Sequence, residues 1–249
     1  MRLTIIGKSP AWQDTGGACS SYLVNHASGG LLVDCGNGAF GQLRALSDYR
    51  EIGAVVITHM HGDHILDLVP FAYALTYGPQ VDGPRPKLFL PPGGMDVLRT
   101  ICGSFDAPDL VENAFETVEY DPGSSLSIAA VSIDFHHVPH FIDAWALRVT
   151  EGDGVLVFGS DCGPSETLPE FAAGAQLMLL EATFAHDAPE RDGHLTPAQA
   201  GDIARAASAE RLVLTHVSDC LDLDASRAAA EAAFGGPVEV AETGSSWDI

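Results

Sequence analysis

The sequence His59-Met60-His61-Gly62-Asp63-His64 places three imidazoles and one carboxylate within six positions. It follows Thr58 and the apolar stretch 53–57, so the motif begins where a predicted buried strand ends. Because side chains alternate along an extended chain, His59 and His61 can point to one side, and Asp63 and His64 can face them from beyond the turn. Imidazole with carboxylate is the donor set of Zn²⁺, with Mn²⁺ or Fe²⁺ as substitutes. The motif predicts a metal site; the alternative is a solvated, histidine-rich turn.

Composition predicts one compact domain over 1–249. Hydrophobic residues make up 46% of the chain, and no stretch has the composition of a linker. No run approaches the roughly 18 apolar residues that cross a bilayer, and the strand-like N-terminus lacks the core of a signal peptide. We therefore expect a cytoplasmic protein without a membrane partner.

The charge balance argues against a polyanionic partner. The net charge is −22, with 34 acidic and 12 basic residues, and the only lysines are Lys8 and Lys87. Contacts from Lys and Arg to phosphates supply most of the affinity for nucleic acids. Long RNA or DNA is thus a poor candidate substrate, and a small anionic molecule is the expected partner.

The cysteines predict neither disulfides nor a sulfur-rich zinc site. The chain has five, an odd number, and none in a Cys-x-x-Cys spacing. Cys162 and Cys220 lie close in sequence to candidate metal ligands, but we expect both to be small, buried packing residues.

The pattern of apolar residues predicts an α/β fold with two sheets packed face to face and helices outside. The rhythm of strands and helices in about 1–125 recurs in about 126–249. Helices are predicted at 38–47, 66–77, 95–103, 166–173, 197–208 and 224–234. Strands are predicted at 2–6, 20–25, 30–34, 53–57, 87–90, 126–130, 131–137, 144–150, 155–159, 176–181 and 211–215.

Three further candidate ligands each follow a predicted strand. His140 comes after the strand that ends near 137, Asp161 after Val155 to Gly159, and His216 after Arg211 to Thr215. Alone, each would be read as an ordinary polar residue at a strand end. Together with the motif at 59–64 they supply enough donors for two metal ions.

With these residues in view, the chain resembles the metallo-β-lactamase-fold hydrolases from residue 2 to about 244. The resemblance implies a four-layer αβ/βα sandwich of two mixed sheets with helices on the outer faces. It also implies that one ion is held by His59, His61 and His140, and the second by Asp63, His64 and His216. Asp161 would bridge the two ions.

In the same family, the residue that matches Asp34 accepts a hydrogen bond and orients the ligand turn, which matters for metal affinity. The alternative for Asp34 is a turn residue before Gly36. The two remain open at this point.

Two segments, Glu181-Ala182-Thr183-Phe184 and Gly193-His194-Leu195-Thr196, resemble the branch of tRNA 3′-end nucleases and phosphodiesterases. In that branch the histidine matching His194 helps to bind phosphate and protonates the leaving group; alternatively His194 only flanks the cap of the helix that follows. The nucleases carry a long arm between the ligands that match His140 and Asp161, where this chain has only twenty residues. The chain is therefore similar to the relatives that lack the arm.

The resemblance implies a dinuclear hydrolase of small phosphodiesters, such as cyclic nucleotides, that acts through a hydroxide shared by the metals. Asp63 would orient or deprotonate the attacking water, and His194 would donate a proton to the departing alkoxide. A lactone, thioester or other ester hydrolase on the same metals is the main alternative. An RNA-processing nuclease ranks behind it, and a non-catalytic binding protein ranks last. Relatives with this architecture are often dimers, so a homodimer is also expected.

Overall fold

The computed structural model describes residues 1–79, 84–189 and 192–249. Within these ranges two sheets of seven strands each are formed. The strands are Arg2–Gly7 (β1), Ser21–His26 (β2), Gly29–Val33 (β3), Ile52–Val56 (β4), Lys87–Leu90 (β5), Glu116–Glu119 (β6), Leu126–Ile128 (β7), Val131–Val138 (β8), Ala144–Glu151 (β9), Gly154–Phe158 (β10), Leu177–Glu181 (β11), Leu212–Thr215 (β12), Val238–Val240 (β13) and Ser246–Asp248 (β14).

Eight α-helices connect the strands in the described ranges, with a 3-10 turn at Tyr49–Glu51. The helices are Ala39–Leu46 (α1), Gly62–Ile65 (α2), Leu68–Tyr77 (α3), Gly94–Gly103 (α4), Leu110–Ala114 (α5), Leu168–Phe171 (α6), Pro197–Ala206 (α7) and Leu223–Phe234 (α8). Helix α7 begins with a capping box, because the side chains of Thr196 and Gln199 each bond the other's backbone. In the described part of the chain, no helix has both the length and the apolarity to span a bilayer.

The strand order is β14-β1-β2-β3-β4-β5-β6 in the first sheet and β13-β12-β11-β10-β9-β8-β7 in the second. One apolar cluster, which includes Leu31, Val56 and Phe158, fills the space between the sheets. A second cluster packs helices on the first sheet and a third packs helices on the second. These layers are the predicted metallo-β-lactamase sandwich, so the predicted fold class is confirmed.

Most predicted elements are present, with shifts of a few residues at their ends. The predicted strand 126–130 ends at Ile128, because Ala129 adopts a left-handed backbone (φ 50°) and the chain turns back into β8. The helix predicted at 166–173 is the single turn α6. The sequence analysis missed α2, α5, β6, β13 and β14. The last strand, β14, pairs with β1, so the end of the chain returns to the sheet of the first half.

The order of the strands brings the predicted ligands together. β3, β4, β5 and β6 are parallel in the first sheet, and β10, β11, β12 and β13 are parallel in the second. The carboxyl ends of parallel strands meet at one edge of a sheet. The loops after β3, β4, β8, β10, β11 and β12 therefore carry the polar side chains described next.

Candidate metal centre

Three imidazoles converge where β4 and β8 end. His59 and His61 lie between β4 and α2, and His140 follows β8. Nδ1 of His61 lies 3.2 Å from Nε2 of His59 and 3.0 Å from Nε2 of His140. Three nitrogens around one tetrahedral Zn²⁺, each at ~2.05 Å, would lie about 3.3 Å apart. The spacing matches ligands of a single ion, and we call these residues the three-histidine cluster.

A second group combines two imidazoles with two carboxylates. Nε2 of His216 lies 3.2 Å from Oδ2 of Asp63 and 3.3 Å from Oδ2 of Asp161. Nε2 of His64 lies 3.4 Å from the same oxygen of Asp161, which is also 3.9 Å from Nε2 of His59. One oxygen thus faces both groups, as expected of a bridging ligand. We call Asp63, His64, Asp161 and His216 the carboxylate cluster.

The protonation states in the three-histidine cluster favour a cation. Burial lowers the pKa of His61 and His140 and holds the pKa of His59 well below its usual value. A neutral imidazole keeps a lone pair on one nitrogen, which a metal ion can accept. The three nitrogens that face one another therefore form a donor set and not a cluster of charges.

The carboxylate cluster holds a polar atom that the described residues leave unsatisfied. Nε2 of His64 is buried and has no hydrogen-bond partner, whereas its Nδ1 bonds Asp34. Burial alone would raise the pKa of Asp161, but the imidazoles of His216 and His64 hold it well below its usual range. A buried anion and an unpaired nitrogen that face one centre are the chemistry of a metal site. The residues of both clusters therefore fit divalent ions with nitrogen and oxygen ligands.

Asp34 is buried directly behind the carboxylate cluster. Its Oδ1 accepts a hydrogen bond from the backbone N–H of Thr58 (2.8 Å). Its Oδ2 accepts from the Thr58 hydroxyl (2.8 Å) and contacts Nδ1 of His64 at 2.8 Å. The carboxylate thus fixes the ring of His64 and the start of the ligand motif. Of the two roles that the sequence left open, these contacts favour the orienting role over that of a simple turn residue.

The loop after β3 also fixes the backbone of the motif. The N–H of Cys35 donates to the carbonyl of His64 (2.8 Å). A Cβ atom on Gly36 would lie 1.8 Å from the carbonyl oxygen of Asp63, so only glycine allows this approach. The turn that presents Asp63 and His64 is therefore pinned by a segment far from it in sequence.

His194 lies against both clusters and is held by a buried acid. Its ring centroid is 5.0 Å from that of His140 and 5.6 Å from that of His216. Its Nδ1 lies 2.7 Å from Oε1 of Glu181, at the end of β11. Burial would lower the pKa of His194, but the hydrogen bond to Glu181 and the charge of Glu181 raise it above its usual value. The carboxylate of Glu181 thus favours the protonated form of His194, and Nδ1 is the nitrogen that faces it.

Glu181, Thr183 and Thr58 are contact residues to which the sequence analysis assigned no role. Glu181 also accepts from the backbone N–H groups of Cys162 and Leu195, so its position is fixed on several sides. The Thr183 hydroxyl donates to Oε2 of Glu181 (2.6 Å) and contacts Nδ1 of His216 at 2.8 Å. In the sequence, the only indication of a role for Glu181 and Thr183 is that the segment 181–184 resembles a branch of the family.

Three strand exits at the site carry residues with a left-handed backbone. The φ angles are 58° at Asp34, 58° at Ser160 and 52° at His216. A residue with a Cβ costs roughly 1–2 kcal/mol in this conformation, less for Asp. Ser160 directly precedes Asp161, so strain lies beside ligands from both sheets, where functional sites commonly store it.

The two cysteines near the site differ in their burial. Cys162 is buried, as predicted, and burial raises the pKa of its thiol well above the usual value. Cys220 is exposed. The prediction of a buried Cys220 was wrong because it lies in the turn between β12 and α8, outside the apolar packing.

Comparisons with known proteins identify the family and the fold. The family model for the β-lactamase superfamily domain matches residues 30–217. The chain is 28% identical over 253 residues to the probable metallo-hydrolase YhfI of Bacillus subtilis, with full coverage of both proteins. The crystal structure of YhfI matches with a TM-score of 0.89 and 26% identity, covering 99% of each chain.

The chain is also similar to a ribonuclease in sequence and to a diphosphatase in fold. Ribonuclease Z of Natronomonas pharaonis is 28% identical over 306 residues, covering 100% of this chain and 98% of the relative. The structure of a diphosphatase from the PhnP family has a TM-score of 0.72 at 19% identity, covering 100% of this chain and 97% of the other. The latter is a likeness of fold alone.

Proposed function

This chain belongs to the β-lactamase superfamily, and from that membership we propose that it is a metallo-hydrolase of small phosphodiesters such as cyclic nucleotides. The class of metallo-hydrolase rests on the family match and on the similarity to YhfI. The choice of phosphodiesters rests on one observation, the imidazole of His194 held by Glu181 beside the ligand clusters, where its protonated form would attract an anionic phosphate more than a neutral lactone.

The fold implies divalent ions, and we propose two of them, with Zn²⁺ favoured by the nitrogen and oxygen donors. The three-histidine cluster would hold one and the carboxylate cluster the other, with Asp161 facing both. When bound, the ions supply positive charge to the non-bridging phosphate oxygens and lower the pKa of a water nucleophile.

Side chains of the chain itself supply the remaining chemistry. Asp63 lies at the rim of the carboxylate cluster, where its carboxylate can orient the attacking water and accept its proton. His194 uses Nδ1 to bond Glu181, so the proton that it gives to the leaving alkoxide comes from Nε2. An alkoxide is a poor leaving group without a proton, so a fixed acid suits a phosphodiester better than a thioester.

The charge and length of the chain support a small substrate. With a net charge of −22, the surface disfavours a polyanion, whereas a cyclic nucleotide carries a single negative charge. The alignment with ribonuclease Z spans 306 positions, against the 249 residues of this chain. Segments of that relative are thus absent here. The homodimer stays a prediction.

A hydrolysis screen tests the proposal. Metal-quantified protein is incubated with cyclic mononucleotides, linear diesters and lactones, each with and without chelator. We expect diesters to be hydrolysed, chelator to abolish the reaction and added Zn²⁺ to restore it. Rapid opening of lactones with untouched diesters would instead assign the centre to carboxylic esters.

A further inference from the structure

A pocket of about 230 Å³ opens beside the three-histidine cluster. Met60, which lies between two histidines of that cluster, forms part of its wall, and Ile142 and Asp143 follow His140 closely in sequence. The pocket also joins the two halves of the chain, because its other walls come from the β5–α4 loop and from β9. Its lining residues are Met60, Pro91, Pro92, Gly93, Val97, Ile142, Asp143 and Trp145.

The lining of the pocket suits an uncharged ring and not a phosphate. Trp145 offers an aromatic surface, and Met60 offers a thioether, which makes favourable contacts with aromatic rings. Among the described residues, Asp143 is the one charged residue in the lining, and no Lys, Arg or His lines the pocket. A carboxylate only accepts hydrogen bonds, so it favours a group with an N–H on its edge and repels a second anion.

The size of the pocket limits what it can hold. Complete sites for drug-sized ligands occupy about 300–1,000 Å³. At about 230 Å³ the pocket is smaller, so it fits one ring system of a larger substrate whose remainder lies elsewhere. The metal centre next to it is the place for the anionic remainder.

The apolar side chains around the mouth are exposed rather than packed into the core. Val97 is 37% exposed, Ile142 is 39% exposed and Phe141 is 64% exposed. Phe141 lies between the pocket segment and the metal centre, with its ring centroid 5.1 Å from that of His140 and 5.8 Å from that of His194. Exposed apolar groups that line a depression beside a reaction centre are typical of a ligand site.

Neighbouring side chains hold the two specific contact groups in place. The ring of His137 packs edge-on against Trp145, with centroids 5.0 Å apart. Nε2 of the same His137 lies 3.2 Å from Oδ1 of Asp143. One histidine therefore contacts both the aromatic surface and the carboxylate acceptor.

We propose that this pocket binds the nucleobase of a nucleotide diester, an uncharged flat ring with an amino group, while the phosphate lies at the metal centre. Trp145 stacks on the ring, and Asp143 accepts from the amino group. The assignment of the base to a diester substrate rests on the proposed function, but the pocket itself needs no phosphate to bind a ring. A nucleoside without phosphate therefore tests the two claims separately.

The direct test is calorimetric titration of the metal-loaded protein with adenosine, with uridine and ribose as comparators. We expect saturable binding of adenosine at millimolar concentration, weaker binding of uridine and none of ribose. Base–aromatic stacking predicts that Trp145→Ala weakens adenosine binding roughly tenfold, whereas Trp145→Phe retains it. Val97→Asp changes an exposed side chain of the lining and should weaken adenosine binding as much as Trp145→Ala does. Its matched control is Val118→Asp, at an exposed valine of β6.

The selectivity of Asp143 is tested by Asp143→Asn, which should reduce severalfold the preference for adenosine over purine riboside, the same nucleoside without the amino group. Asp224→Asn, at an exposed aspartate on α8, should not. Failure of adenosine to bind, or equal binding by Trp145→Ala, Val97→Asp and the unchanged protein, would overturn the proposal. If adenosine binds as expected but no diester is hydrolysed, the proposed function fails and the pocket stands.

A kinetic comparison extends the test to the reaction. For cyclic adenosine monophosphate and for the same cyclic ribose phosphate without a base, we expect similar kcat but a KM roughly tenfold higher without the base. Trp145→Ala should raise the KM for the adenine substrate to that level and leave the base-free substrate unaffected. Equal KM values for both substrates in the unchanged enzyme would contradict the proposal.

Discussion

The three-histidine cluster and the carboxylate cluster both face Asp161 but differ in charge and burial. The first contributes only imidazoles, two of them half-buried, and it borders the apolar pocket. The second contributes two carboxylates, and three of its four residues are buried. Histidines of both clusters are braced from behind, His64 by Asp34 and His216 by Thr183 in the second, and His59 by Thr58 and His140 by the carbonyl of Gly193 in the first.

This difference favours unequal affinities for the two ions that we propose. Charge attraction in a buried site strengthens binding of a cation, so the carboxylate cluster should hold its proposed ion more tightly. An ion at the three-histidine cluster should exchange more readily and should face the organic part of a substrate. Changes at single residues distinguish the two clusters.

Asp161→Asn should have the largest effect, because it removes the one charge that faces both clusters. We expect both ions to bind more weakly and turnover to fall about a thousandfold or more, since metal charge stabilisation is worth several kcal/mol. Elemental analysis and diester hydrolysis measure the two losses. Asp153→Asn, in the exposed turn between β9 and β10, is the control. Two retained ions with near-normal turnover would show that no bridging charge is needed.

His194→Ala should lower kcat by about 10²–10⁴-fold, the usual contribution of a general acid, while both ions stay bound. His136→Ala, at a histidine of β8 that packs on Phe171, provides the control. Unchanged turnover would remove His194 from the mechanism. Loss of an ion would instead make it a ligand, since its ring also lies within reach of His140 and Asp161.

Asp34→Asn should weaken metal binding most at the carboxylate cluster, by about 10–100-fold, and less at the three-histidine cluster, which Asp34 reaches only through Thr58 and His59. Asn tolerates the left-handed backbone at this position, so the change removes the charge behind His64 without adding strain. Competition with a chromophoric chelator resolves two dissociation constants. If both constants change equally, the two clusters are not supported independently.

Glu181→Gln should shift the pH profile of kcat. The carboxylate of Glu181 raises the pKa of His194, so the imidazolium persists to higher pH in the unchanged enzyme. Without that charge the pKa of His194 falls. The loss of activity on the alkaline side of the profile should then begin at lower pH, and activity on the acidic side should change less. An alkaline limb at the same pH in both proteins would assign that limb to a group other than His194.

The candidate ligands could be picked out from the sequence because each follows a strand whose apolar pattern is local, and the structure brings them together. His59, His140, Asp161 and His216 all lie at such exits. The apolar pattern also predicted most of the strands that form the two sheets, since buried parallel strands give continuous apolar runs. Short edge strands such as β6, β13 and β14 were missed because they are half-exposed and lack such runs.

The supporting contacts were harder to predict because their partners are distant in sequence. Asp63 and His216 are separated by 153 positions, and the loop of Asp34 reaches the ligand turn only through the packing of β3 on β4. The bond from Thr183 to His216 likewise depends on the pairing of β11 with β12. No spacing within one segment carries this information, so Glu181, Thr183 and Thr58 emerged only in three dimensions.

We propose a centre that binds two ions with unequal affinity and hydrolyses small diesters only when both are bound. Metal-stripped protein is titrated with Zn²⁺, and bound metal and hydrolysis of bis(p-nitrophenyl) phosphate are followed together. We expect the first equivalent of Zn²⁺ to bind tightly and to give little hydrolysis. The second should bind more weakly, and hydrolysis should reach its maximum at two ions per chain. Full activity at one ion per chain, or none at two, would contradict it.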